Sequence, residues 1–198
     1  MSSTNLATRD RILKATQDLM EQGRVAEVRM SDIAKHAKIS RQALYLHFPN
    51  RAELLVATTR YLDDVQGIDA RVEAQVMGAS GIARLDAFIE IWFGHIPHIQ
   101  GVAKALMQMQ GSDKEADAAW QNRMTAVRRL CKSCVESLRE EGRLADGYTS
   151  KQAVDVLFML VSVPNWLLMV QSCGWSQKTY LTQTRATAHR MLLKDEAL

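Results

Sequence analysis

Arg41, Gln42, Tyr45 and His47 lie within one short segment that reads as a helix, and they are the side chains expected on its exposed face. A guanidinium can donate two parallel hydrogen bonds to the major-groove edge of guanine, and a carboxamide can do the same with adenine. A phenol and an imidazole at the same level can reach phosphate oxygens. Arg51 follows in the first turn of the next expected helix, where its charge and the backbone N–H groups can meet a phosphate together. These side chains therefore suit reading base edges while gripping the DNA backbone. Arg29 and Ser31, at the start of the preceding helix, and Lys38 and Ser40, in the turn, are further candidates for the same surface.

Presenting that face requires two short helices crossing at a fixed angle, a helix-turn-helix. Ala34 supplies the small residue at the crossing, Lys38-Ile39-Ser40 forms the turn with Ile39 inward, and Leu44 packs back from the second helix. Ser40 is a natural N-cap for that helix. The pattern predicts helices over about 8–22, 30–37 and 41–48, with Gly23 ending the first in a left-handed cap. Pro49 stops the third, and Asn50 with Glu53 caps a fourth that runs to about Met77. After the break at Gly78, Ser80 and Gly81, helical apolar spacing resumes at Ile82 and is expected to end or kink at Pro97. A short helix over about 99–109 follows. A long one opens with Ser112 as cap and Glu115 as its reciprocal partner; Thr149 with Gln152 caps 150–172, and Ser176 caps 177–194. No segment alternates like a strand. The expected fold is all-α, with about nine helices.

The stretch from Ile33 to Leu55, with Ile39-Ser40-Arg41-Gln42-Ala43-Leu44-Tyr45-Leu46-His47-Phe48-Pro49-Asn50-Arg51 at its centre, resembles the tetracycline-repressor (TetR) family signature, and the first helix with Arg9 to Leu13 fits as well. The resemblance covers about residues 8–57. It implies a homodimer with an N-terminal three-helix DNA-binding domain and a C-terminal domain for ligand binding and dimerisation. The division expected here is 1–50 for the helix-turn-helix domain, 51–80 for a connecting helix and 81–198 for the rest. Two positions depart from the family pattern. Lys38 stands where glycine is frequent, although such turns need positive φ, which costs a side-chain-bearing residue about 1 kcal/mol. Arg29 stands where a Thr or Ser cap is usual.

The C-terminal part is rich in soft and flat side chains. Phe88, Trp92, Met107, Met109, Trp120, Met124, Phe158, Trp166 and Met169 are candidates to line an apolar pocket, with His95, His98, Gln108 and Asn122 as polar handles. Val154, Leu157, Val161, Leu168 and Met191, with the small residues Thr184, Ala186, Thr187 and Ala188, suggest that the last two helices pair with a second copy as a four-helix bundle. Cys131 and Cys134, one turn apart, and the pair His95 and His98 would together satisfy a Cys2His2 zinc site. Their separation is not that of a zinc finger and buried cysteine is a common small hydrophobe, so no metal or cofactor is expected.

Charge distribution agrees with a nucleic-acid partner. Residues 1–60 carry ten Lys/Arg against six Asp/Glu, whereas the remainder carries 15 against 16. An odd cysteine count of three and a polar N-terminus lead to the expectation of a reducing cytoplasm and no secretory leader. Val154–Val170 is apolar but contains Asp155, Ser162, Pro164 and Asn165, so no membrane span is expected there. No nucleophile–base pair or paired carboxylates stand out, so an enzyme is not expected; a helical enzyme or scaffold is the remote alternative. The function these residues point to is a transcriptional repressor released from a double-stranded DNA operator by a small, largely apolar molecule. A family member that activates transcription, or works without a ligand, is the alternative.

Overall fold

The computed structural model describes residues 3–22 and 29–194, and the expected glycine cap at Gly23 lies outside them. Ten α-helical segments occur among the described residues: α1 (Ser3–Glu21), α2 (Met30–His36), α3 (Arg41–His47), α4 (Arg51–Val65), α5 (Ile68–Arg71), α6 (Gly81–Met109), α7 (Lys114–Glu140), α8 (Ser150–Leu160), α9 (Val163–Trp166) and α10 (Gln177–Leu192). α5 and α9 run on into single π-helical segments, Val72–Met77 and Leu167–Ser172. No strand forms among the described residues; one isolated antiparallel bridge joins Leu144 to Leu193. The all-α expectation holds.

The local caps form as their sequences dictate. Ser40 Oγ accepts the Ala43 N–H at 3.1 Å and Asn50 Oδ1 accepts the Glu53 N–H at 2.9 Å. Thr149 and Gln152 complete a reciprocal capping box, and Ser176 Oγ accepts the Thr179 N–H at 3.0 Å. Arg29 makes no side-chain cap on α2.

Four element boundaries differ from the sequence pattern. α4 ends at Val65 because Gly67 takes a left-handed φ of 59° and breaks the run before α5. α6 passes through Pro97 without ending. Proline withholds the N–H that the Phe93 carbonyl would accept four residues back. Here Gln177 Nε2 from α10 donates to that oxygen at 2.5 Å and satisfies it. α7 is capped by Asp113 rather than Ser112: Asp113 Oδ1 accepts the Glu115 and Ala116 N–H groups at 3.0 and 3.1 Å, while Ser112 Oγ turns back to the Met109 carbonyl at 2.9 Å. Finally, 150–172 is not one helix. Val161-Ser162 interrupts it, and Ser162 caps α9, with a proline in the first turn. Ser150–Ser172 is nonetheless apolar and long enough to cross a membrane by length and composition, and a third of its most apolar stretch is buried.

The chain packs as two compact units, one of residues 1–66 with 98–124 and the other of 67–97 with 125–198. In the first, Ile12, Leu13, Thr16 and Met20 of α1 are buried together with Ile33, Ala34, Leu44, Phe48, Leu54, Leu55 and Leu62. In the second, the core holds Leu85, Phe88, Ile89, Phe93, Cys131, Cys134, Val135, Leu138, Leu157, Val161, Tyr180, Ala188 and Leu192, with Phe93 edge-on to Tyr180 at 5.0 Å.

This core assignment corrects part of the expected dimer face. Leu157, Val161 and Ala188 are wholly buried inside the chain, and Val154 and Thr184 nearly so, because α8 and α10 turn these residues inward. Of the residues named for that face, Leu168 is exposed, and Ala186, Thr187 and Met191 are half-buried.

Candidate nucleic-acid interface

α3 is only seven residues long, too short to be stable alone. Three things hold it: the Ser40 cap, the burial of Leu44, and the abrupt exit at Phe48, whose backbone is extended before Pro49. Leu44 is the one fully buried residue of this helix. Phe48 is buried too, and the Arg9 guanidinium lies over its ring at 5.0 Å. The turn before α3 adopts the strained geometry expected of it: Lys38 has φ 55°, the single non-glycine residue with positive φ among those described. Lys38→Gly is expected to raise the unfolding free energy by about 1 kcal/mol, read from urea titration. An unchanged or lower midpoint would show that the turn is not strained.

With the hydrophobic side fixed inward, the other face is exposed. Arg41 and Gln42 are exposed, Tyr45 is 41% exposed and His47 is half-buried. Arg29, Ser31, Lys38 and Ser40 are exposed as well. Sequence reasoning missed Leu46, which is 83% exposed. Its signal was its spacing, one turn beyond Gln42; an apolar side chain on that face matches the methyl group that thymine presents in the major groove.

Arg51 is different. Its side chain is only 17% exposed, and its guanidinium is engaged within the protein. Nη1 donates to Asp113 Oδ2 and lies 3.6 Å from Glu115 Oε2, while Nη2 is 3.3 Å from Met109 Sδ. Burial alone would push the Asp113 carboxyl up. The Ala116 N–H, the Arg51 guanidinium and the Glu115 N–H together reverse that and hold it below the ordinary carboxylate value.

Farther along α4, Asp63 is buried and its Oδ2 lies 2.6 Å from Arg123 Nη2 of α7.

The residues expected to line an apolar pocket fall in both units. Met107, Met109, Trp120 and Met124 belong to the first, and Phe88, Trp92, His95, Phe158, Trp166 and Met169 to the second. All are buried or half-buried. Both indoles in that set from the second unit are tied internally: Trp92 Nε1 donates to the Val161 carbonyl at 2.6 Å and Trp166 Nε1 to Gln177 Oε1 at 2.7 Å. Phe158 lies under the Arg128 guanidinium at 5.3 Å. His98, Gln108 and Asn122 are on the exterior. Cys131 and Cys134 are buried thiols whose pKa values burial raises, that of Cys134 to about 12, so neither supplies a ready thiolate. No group of three or more His, Cys, Asp or Glu suited to a metal ion occurs among the described residues.

Comparison with known proteins reaches the same segment. Residues 12–58 match the family of bacterial regulatory proteins described as the tetR family. Over 137 residues the chain is 28% identical to the HTH-type transcriptional regulator EthR of Mycolicibacterium smegmatis. That match covers 68% of this chain and 62% of the length of EthR. Among solved structures, NalD of Pseudomonas aeruginosa, the secondary repressor of the MexAB-OprM multidrug efflux pump, superposes with a TM-score of 0.74 at 21% identity, covering 98% of this chain and all of NalD. The SmeT–triclosan complex gives a TM-score of 0.74 at 18% identity, covering 96% and 93% of the two chains.

Proposed function

We propose that this chain, whose residues 12–58 match the tetR family of bacterial regulatory proteins, is a member of that family and a DNA-binding transcriptional repressor that a small, largely apolar molecule releases from its operator. One observation carries the reading: a capped, seven-residue helix buries Leu44 and turns Arg41, Gln42, Tyr45 and Leu46 outward beside a cationic turn. An α-helix with that face fits the major groove, where Arg and Gln discriminate bases. Arg29, Ser31, Lys38, Ser40, Tyr45 and His47 serve as phosphate and edge contacts around it.

The functional division is residues 1–50 for DNA, 51–80 as a connection and 81–198 for ligand and partner. The protein acts in the cytoplasm as a homodimer, and two recognition helices about 34–36 Å apart enter successive major grooves of a partly palindromic site. The exposed apolar residues Met159 and Leu168, with Met191, supply surface for the second copy. The apolar stretch Ser150–Ser172 is then covered by protein rather than lipid. That NalD represses an efflux pump and SmeT is found with triclosan supports an apolar effector for this chain. Such an effector acts by binding the DNA-competent and DNA-incompetent conformations unequally. Regulators of this family are not enzymes, and none of the groups above is assigned a catalytic role.

Selection of the bound sequences from a random duplex pool, followed by affinity measurement, tests the reading. Arg41→Ala or Gln42→Ala is expected to cost about 1–3 kcal/mol on the selected site and to relax preference at one base pair. Equal affinity of the wild type for selected and random duplex would overturn it.

A further inference from the structure

Arg51 opens α4 immediately after the turn that ends α3, at a helix start, where a cation and backbone N–H groups together suit an anion. Its guanidinium is already occupied. Asp113 and Glu115 approach the same nitrogen, and Met109 lies against the other. The arrangement is built rather than incidental, because Asp113 uses its second oxygen to cap α7 and is thereby held in place. All four residues belong to one compact unit.

To a guanidinium, a pair of carboxylates and a phosphodiester offer the same thing, anionic oxygens at hydrogen-bonding distance. A phosphate brought to Arg51 must also approach Asp113 and Glu115, whose charges repel it. We propose that Asp113 and Glu115 act as an internal competitor for Arg51, so that these two acids, outside the helix-turn-helix, set how tightly and how salt-sensitively the protein holds duplex DNA. The inference rests on the DNA-binding reading above. Its energetic logic is counterion release: a cation neutralised by the protein displaces no counterion from DNA, so it adds nothing to the salt dependence.

The test is a salt titration of binding to a short duplex of mixed sequence, by fluorescence anisotropy. It uses the full-length wild type, D113N/E115Q, and each of these combined with R51Q. Asparagine keeps the α7 cap, since its side-chain oxygen accepts the same N–H groups; circular dichroism checks folding. D113N/E115Q is expected to steepen the slope of log K against log salt by about 0.9. Affinity at low salt should rise about five- to tenfold, as one added charge-assisted phosphate contact would give. R51Q should abolish both gains in that background and change little in the wild type. Gains that survive R51Q, or an unchanged slope in folded D113N/E115Q, overturn the competitor. If the double variant does not fold, E115Q alone carries the same comparison with a smaller gain, because Glu115 caps nothing. A wild type with no salt-dependent affinity for duplex overturns the DNA-binding reading itself, which separates the two failures.

Discussion

Arg123→Ala is expected to lower the free energy of unfolding by about 3 kcal/mol, near the lower end of the range for breaking a buried pair because Arg123 keeps some contact with solvent. The cost comes from what is left behind. Asp63 sits on the inner side of α4, buried, with the Arg123 guanidinium 2.6 Å away. Removing that cation takes one full opposite charge from a carboxylate held where water solvates it poorly. Urea unfolding should show a lower midpoint with an unchanged slope, the signature of lost stability rather than an altered denatured state. Asp63→Asn combined with Arg123→Ala should recover more than half of the loss, because a neutral amide is far cheaper to bury. A loss below about 1 kcal/mol for Arg123→Ala would show that the pair behaves like an exposed ion pair.

Leu44→Ala should cost about 2–5 kcal/mol, the range for truncating a fully buried leucine, with the value set by how far the cavity collapses. The upper half is expected. α3 has no second buried side chain of its own to take over, and its two ends are pinned by the Ser40 cap and the turn at Phe48. DNA affinity should fall with stability, because the outward position of Arg41 and Gln42 depends on the inward position of Leu44. Leu44→Met preserves volume and should cost under about 1.5 kcal/mol while retaining binding. Thermal unfolding and duplex anisotropy on the same samples would decide. Full DNA affinity in folded Leu44→Ala would mean that the recognition face does not depend on this anchor.

The features legible in the sequence share a physical scale. Ser40, Asn50, Thr149 and Ser176 each cap the helix that follows them, because the hydrogen bond closes three residues away and needs nothing else. The inward positions of Ala34 and Leu44 and the positive φ of Lys38 follow in the same way from the spacing of a motif that spans one turn and two short helices. The outward set of Arg41, Gln42 and Tyr45 is its complement. Leu46 shares that spacing, but an apolar residue type by itself does not separate a groove contact from a core position.

What sequence alone determined about this protein is thus local: helical periodicity, most of the helix caps, one helix-turn-helix motif and the all-α class. Tertiary structure decided whatever depended on a partner distant in the chain. Pro97 stays inside α6 because Gln177, from another helix, satisfies the carbonyl that proline abandons. Arg51 meets Asp113 and Asp63 meets Arg123 only once the chain has folded back on itself. Leu157, Val161 and Ala188 face inward because α8 and α10 enclose them, although their types would equally have suited an interface. Hydrophobic pattern says that a face must be covered; which surface covers it depends on contacts whose sequence separation no local rule can span.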